Sequence, residues 1–174
     1  MKIIIVINGS GGVGKDTFCD VIAKTYRTKN VSSIDPIKQI ASRIGWDKED
    51  KSLRARKFLS DLKMAFVSYN DLPNRYLCDA YHDFMSDDNQ VMFVHIREPE
   101  EIEKFKRSIP AKVLTLLIKS TRTDHLVYGN ASDDDVEHYH YDLVFNNNAE
   151  ISQTPEAMSR FFRTEVLKLM NEAE

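Results

Sequence analysis

Gly9-Ser10-Gly11-Gly12-Val13-Gly14-Lys15-Asp16-Thr17 directly follows the apolar run Ile3-Ile4-Ile5-Val6-Ile7. The spacing is G-x-x-x-x-G-K, with Asp16 where this motif usually has Ser or Thr. Glycines let successive backbone N–H groups turn inward around a chain of phosphates, and the lysine after the last one reaches the terminal phosphates. The apolar run reads as a buried strand and residues 14–27 as a helix, so strand, loop and helix stand in the order the motif requires. The helix N-terminus turns its positive dipole end to the same anion. A nucleoside triphosphate is the expected ligand, cradled by Gly9, Gly11, Gly12, Val13, Gly14, Lys15, Asp16 and Thr17.

Outward from this loop, strands and helices alternate. Residues 2–7, 31–34, 91–96, 113–118 and 141–145 read as strands from their apolar runs. Asp35-Pro36 closes the second strand, and Pro36 suits the first turn of a helix running to about residue 44. Residues 53–69 carry a helical stripe of Phe58, Leu62, Ala65, Phe66 and Tyr69, expected to face the core. Further helices are predicted over 71–85 and 99–107. A last helix is capped by Thr154 and started by Pro155, with Met158, Phe161, Phe162, Val166 and Leu169 as its stripe. Residues 120–140 are polar, contain Asp133-Asp134-Asp135, and suit a loop with a helical turn or two. The alternation predicts an α/β fold, a parallel sheet covered on both faces.

A chain of 174 residues with 42% hydrophobic content suits one compact domain. Its net charge of −3 leaves no electrostatic footprint for nucleic acid or an anionic membrane. Cys19 and Cys78, the two cysteines, form neither a metal spacing nor a disulfide framework, which suits a reducing cytoplasm. The opening apolar run is too short for a signal peptide or a membrane span.

Several further landmarks resemble one family, the small P-loop kinases of nucleoside monophosphates, and most closely the deoxynucleoside monophosphate kinases of phage type. The matching residues are Gly14-Lys15-Asp16-Thr17 in the loop, Ile34-Asp35-Pro36-Ile37-Lys38 after the second strand, and Arg56-Lys57-Phe58-Leu59 in a helix. His95-Ile96-Arg97-Glu98-Pro99-Glu100-Glu101 resembles the family's D-V-R-x-P and acidic helix, with His95 where the pattern has Asp. Asp142-Leu143-Val144-Phe145-Asn146-Asn147 resembles its C-terminal segment. Dephospho-CoA kinases share several of these features. The resemblance implies a three-layer P-loop kinase fold with a five-stranded parallel sheet. It implies a core over about 1–35 and 88–174, a helical acceptor-binding lobe over about 36–87 and a short lid over about 120–140. It also implies ATP and Mg²⁺ as cofactors, and a small phosphoryl acceptor as partner to a monomer or homodimer.

Phosphoryl transfer needs donor, metal and acceptor held in line while charge on the phosphoryl oxygens is offset. Lys15 would lie along the β- and γ-phosphates. Asp16, a hard oxygen ligand, would hold Mg²⁺ directly or through water, or would simply favour the helix dipole. Asp35 stands at the carboxyl edge of the sheet as the base for a hydroxyl acceptor, as the holder of a sugar hydroxyl beside a phosphate acceptor, or as a turn residue before Pro36. Arg97 and Arg122, at strand ends, are candidates to grip the phosphates being joined, because the guanidinium fork binds oxyanions bidentately. Arg56 and Arg75 follow as candidates in the helical segment, and Lys38 would reach an acceptor phosphate or stay on the surface. Asn147 stands where related kinases lay the adenine against amide groups. His125, His138 and His140 lack zinc spacing and read as a polar segment.

The expected activity is therefore transfer of the ATP γ-phosphate to a small acceptor, foremost a nucleoside or deoxynucleoside monophosphate. Other expectations are a kinase for a dephospho-CoA-like or phosphomevalonate-like acceptor, and a nucleotide-binding regulatory module without turnover, which His95 favours. A GTPase-type switch is disfavoured, since no [NT]-K-x-D motif follows any strand.

Overall fold

The computed structural model describes residues 2–123 and 136–171. Five strands form one parallel sheet in the order β2-β3-β1-β4-β5. They are β1 (Ile3–Asn8), β2 (Thr28–Ser32), β3 (Val91–His95), β4 (Val113–Lys119) and β5 (Leu143–Asn146). The central strand β1 pairs Ile5 with Phe93 on one side and Ile5 with Leu114 on the other. Every residue of β1 is buried, as expected of a parallel strand covered on both faces.

Side chains alternate along each strand, so the sheet separates two cores. Ile3, Ile5, Ile7 and Phe93 face one side, where α1 (Lys15–Ala23) brings Phe18 and Ile22 and α6 (Thr154–Phe161) brings Met158. Ile4, Val6, Met92 and Val94 face the other, against Leu77 and Phe84 of α4 (Leu72–Ser86) and Ile102 and Phe105 of α5 (Pro99–Ser108). α6 passes through a π-helical turn at Phe162–Val166 into α7 (Leu167–Asn171). Between β2 and β3 lie α2 (Asp35–Arg43), α3 (Leu53–Asn70) and α4. None of the described helices is long and apolar enough to cross a membrane.

Three local expectations are corrected. The second strand spans 28–32 rather than 31–34, because the turn begins at Ser33, and Asp35 belongs to the first turn of α2. Thr154 does not cap the last helix: Gln153 occupies the cap position, and the Thr154 hydroxyl donates to the Glu150 carbonyl at 3.2 Å inside the preceding turn. The stripe on α3 is not core. Phe58 is 37% and Tyr69 84% exposed, whereas the buried residues of this helix are Ala55 and Lys63. Lys63 is buried because Glu98, just after β3, meets its ammonium at 2.6 Å.

The adjacent strands β1 and β3 send their chains to opposite faces, β1 into α1 and β3 into α5. Open α/β sheets bind ligands at such a switch point, in the crevice beyond the strand carboxyl ends. The glycine-rich loop and Arg97 both lie at this edge.

Candidate phosphate-binding and transfer site

Gly9 leaves β1 with φ +142°, and a Cβ there would collide with the Ile118 carbonyl of the neighbouring strand. Gly14 caps α1 with φ +102°, and a Cβ there would lie 2.6 Å from the side-chain nitrogen of Asn147. Both positions therefore require glycine on conformational and steric grounds. Between them Val13 is 3% exposed and anchors the loop in the core. The Gly14 carbonyl accepts from Phe18 N at 2.9 Å, so the helix begins directly at the loop.

Lys15 folds back over the loop, donating to the carbonyls of Gly9 at 2.5 Å and Ser10 at 2.8 Å. Its ammonium thus lies over the space that the loop encloses. Asp16 and Thr17 are exposed on the first turn of α1.

His95 marks where the chemistry converges. The half-buried imidazole is held below its usual pKa first by burial. The carboxylates of Asp16 and Asp35 pull it up, while the cations of Lys15 and Arg97 push it down. Groups from the loop after β1 and from the chain after β2 and β3 therefore act on one side chain. Tyr76 of α4 is raised above the ordinary phenol value, chiefly by burial and then by the Asp35 carboxylate, so Asp35 also faces α4. One Asp35 oxygen accepts from Ser32 N at 2.7 Å and fixes the carboxylate at the end of β2.

Arg97 is exposed at the turn after β3. Arg122 lies in a 3₁₀ turn, Thr121–Thr123, after β4, with its guanidinium on the β5–α6 loop. It donates to the carbonyls of Asn147 at 2.8 Å and Ala149 at 3.4 Å, and to the Ser120 hydroxyl at 3.3 Å. Lys38, Arg56 and Arg75 are exposed, one on each of α2, α3 and α4.

Asn147 is turned inward. It is 5% exposed, and its amide donates to the Val13 carbonyl at 2.8 Å, behind the loop. Its role here is to brace the loop. Of residues 120–140, those from 124 to 135, including His125 and the triple acid, lie outside the described residues. Three residues that the sequence reading did not single out join the site: Asn8, which ends β1, Ser120, whose hydroxyl donates to the Asn147 carbonyl at 3.0 Å, and Tyr76. Asn8 stands directly before the first loop glycine, which was the available signal; Ser120 and Tyr76 carry none in the sequence.

A nucleotide-bound Mg²⁺ takes phosphate oxygens and waters, and needs only one or two protein carboxylates. Among the described residues no group of three or more His, Cys, Asp or Glu side chains is placed to hold a metal by itself. The single exposed Asp16 beside the loop fits the shared kind of site.

No family model and no curated protein matches the chain. Solved structures do. The crystal structure of TT1252 from Thermus thermophilus matches over 94% of this chain and 97% of that one, at 16% identity and a TM-score of 0.51. A presumed kinase from Chloroflexus aurantiacus j-10-fl matches over 96% and 97%, at 10% identity and a TM-score of 0.56. Likeness at such identities speaks for fold alone. With the sheet order β2-β3-β1-β4-β5, it establishes a three-layer α/β fold built on a five-stranded parallel sheet.

Proposed function

We propose that this protein is a small-molecule kinase that transfers the γ-phosphate of ATP to a small anionic acceptor, a nucleoside or deoxynucleoside monophosphate fitting best. The observation that supports the reading is one of placement: the phosphate loop with Lys15 and Asp16 leaves β1 at the same sheet edge where Asp35 follows β2 and Arg97 follows β3, and all four charges act on His95. A phosphate loop alone needs only the first pair. A transfer site needs both.

In this reading the loop amides hold the triphosphate, and Lys15 moves from the Gly9 and Ser10 carbonyls onto its terminal phosphates. Asp16 would hold Mg²⁺ directly or through water, and the metal when bound offsets phosphate charge. Arg97 grips the acceptor phosphate with its fork, and Lys38, Arg56 and Arg75, exposed on α2, α3 and α4, are the further cations offered for the acceptor. Arg122 holds the β5–α6 loop behind the phosphates and adds positive charge at the sheet edge. Asp35, already bonded to Ser32 N, suits the orientation of a sugar hydroxyl better than the shuttling of a proton. A phosphate acceptor is ionised near neutral pH and needs no base.

A coupled ADP-release screen over ribo- and deoxynucleoside monophosphates, dephospho-CoA and phosphomevalonate tests the proposal. ADP is expected only when an acceptor is present. ATP binding without turnover on any acceptor would replace the kinase with a nucleotide-binding regulator.

A further inference from the structure

Asn8 is the last residue of β1, 1% exposed, and every polar group of its side chain is engaged with a different segment. Its Oδ1 accepts from Gly9 N at 2.9 Å, at the entry to the phosphate loop. Its Nδ2 donates to the Arg97 carbonyl at 3.2 Å and to the Tyr141 hydroxyl at 2.9 Å. The Tyr141 hydroxyl in turn donates to the Val136 carbonyl at 2.8 Å.

Chemistry fixes the orientation of this amide. Flipping it would set an N–H against the Gly9 N–H and an oxygen against the Arg97 carbonyl, two repulsive contacts in a buried site. Tyr141 spends its hydroxyl proton on Val136, so it can only accept from Asn8. No other common side chain of this size offers one acceptor and two donors in the same plane. Aspartate keeps the bond to Gly9 but loses both donors.

We propose that Asn8 is a positioning residue for phosphoryl transfer, whose buried amide sets the spacing between the donor loop at Gly9 and the backbone that carries Arg97. Packing of β1 against β3 aligns the strands only as far as Val6 and Val94, two residues short of this edge. Beyond it the Asn8 amide is a direct bond from the end of β1 to the turn holding Arg97. In-line transfer is sensitive to such spacing, a displacement of about 1 Å costing about a hundredfold in rate. The inference rests on the kinase reading and on Arg97 as the residue that grips the acceptor.

The test is a double-mutant cycle of Asn8→Asp with Arg97→Ala, reading kcat and KM for ATP and for the best monophosphate of the screen. Asn8→Asp is expected to lower kcat about tenfold or more while the KM for ATP changes less. In the Arg97→Ala background the same substitution should add little, because its effect runs through Arg97. The activity of Asn8→Asp relative to wild type should also recover as the pH is lowered, since a protonated carboxyl donates to the Arg97 carbonyl again. Should Asn8→Asp not fold, Asn8→Ser, whose hydroxyl cannot span these partners, completes the same cycle. Multiplicative losses in the cycle, or an unchanged kcat, would overturn the proposal with the kinase reading intact. A wild-type protein inactive on every acceptor would overturn both.

Discussion

The side-chain amide of Asn147 donates to the carbonyl of Val13 at 2.8 Å, joining the end of β5 to the middle of the phosphate loop. Residues 134 positions apart thus share one buried bond, and the loop is braced from behind before any ligand arrives. The same Asn147 offers its backbone carbonyl to Ser120 and Arg122, so the brace extends to the chain leaving β4.

Removing this brace should loosen the loop. Asn147→Ala leaves the Val13 carbonyl buried without its donor, a loss of about 1–3 kcal/mol in urea unfolding. AMPPNP affinity, read by calorimetry, should fall with it. Gly14→Ala should act on the same contact from the other side. It forces a Cβ to 2.6 Å from the Asn147 nitrogen at φ +102°, and should lower AMPPNP affinity about tenfold or more. Wild-type affinity in both variants would show that the brace does not shape the loop.

Lys63 and Glu98 pin α3 to the turn after β3. The ammonium side chain is 8% exposed and the carboxylate 33%. Taking away one partner of a fully buried pair costs about 3–5 kcal/mol, and the partial exposure of Glu98 reduces the expected loss for Lys63→Met to about 2 kcal/mol. Denaturant midpoints measure it. A stability unchanged within error would mean that water replaces Glu98 without cost.

Cys19 reports on the α1 core through pH. Burial, followed by the nearby Asp16 and Asp20 carboxylates, pushes its thiol up from 9.0 to about 12. The folded form therefore holds its proton where the unfolded chain gives it up, so stability is full below about pH 9 and falls as pH rises toward 12. Iodoacetamide at pH 8 should modify the half-buried Cys78 well before Cys19 in the native protein. The fall in urea stability between pH 8 and pH 10 should be smaller in Cys19→Ala than in wild type. Equal slopes would contradict the assignment.

The parts of the fold legible in the sequence are those with local signatures. The glycine spacing announced the loop, and the apolar runs located all five strands to within a few residues. Pro36, Pro99 and Pro155 marked helix starts correctly. What failed depended on distant partners. An amphipathic stripe says that one face of α3 differs from the other, but Lys63 went inward because Glu98 waits 35 positions away. Asn147 sits in a run of asparagines that locally reads as a turn, and only the folded chain brings Val13 to it. Asn8 carries only a weak signal, one polar residue at the end of an apolar strand.

Following labelled phosphate distinguishes a transfer site at this sheet edge from one that only holds a nucleotide. Wild-type protein and Lys15→Ala are incubated with Mg²⁺, ATP labelled at its γ-phosphate and the nucleoside monophosphates in turn, and the products are separated. Label is expected in a nucleoside diphosphate for the wild type, dependent on the acceptor, and falls by about a hundredfold or more in Lys15→Ala. Label that stays on ATP, or passes only to water at the same rate with every acceptor, would contradict a transfer site.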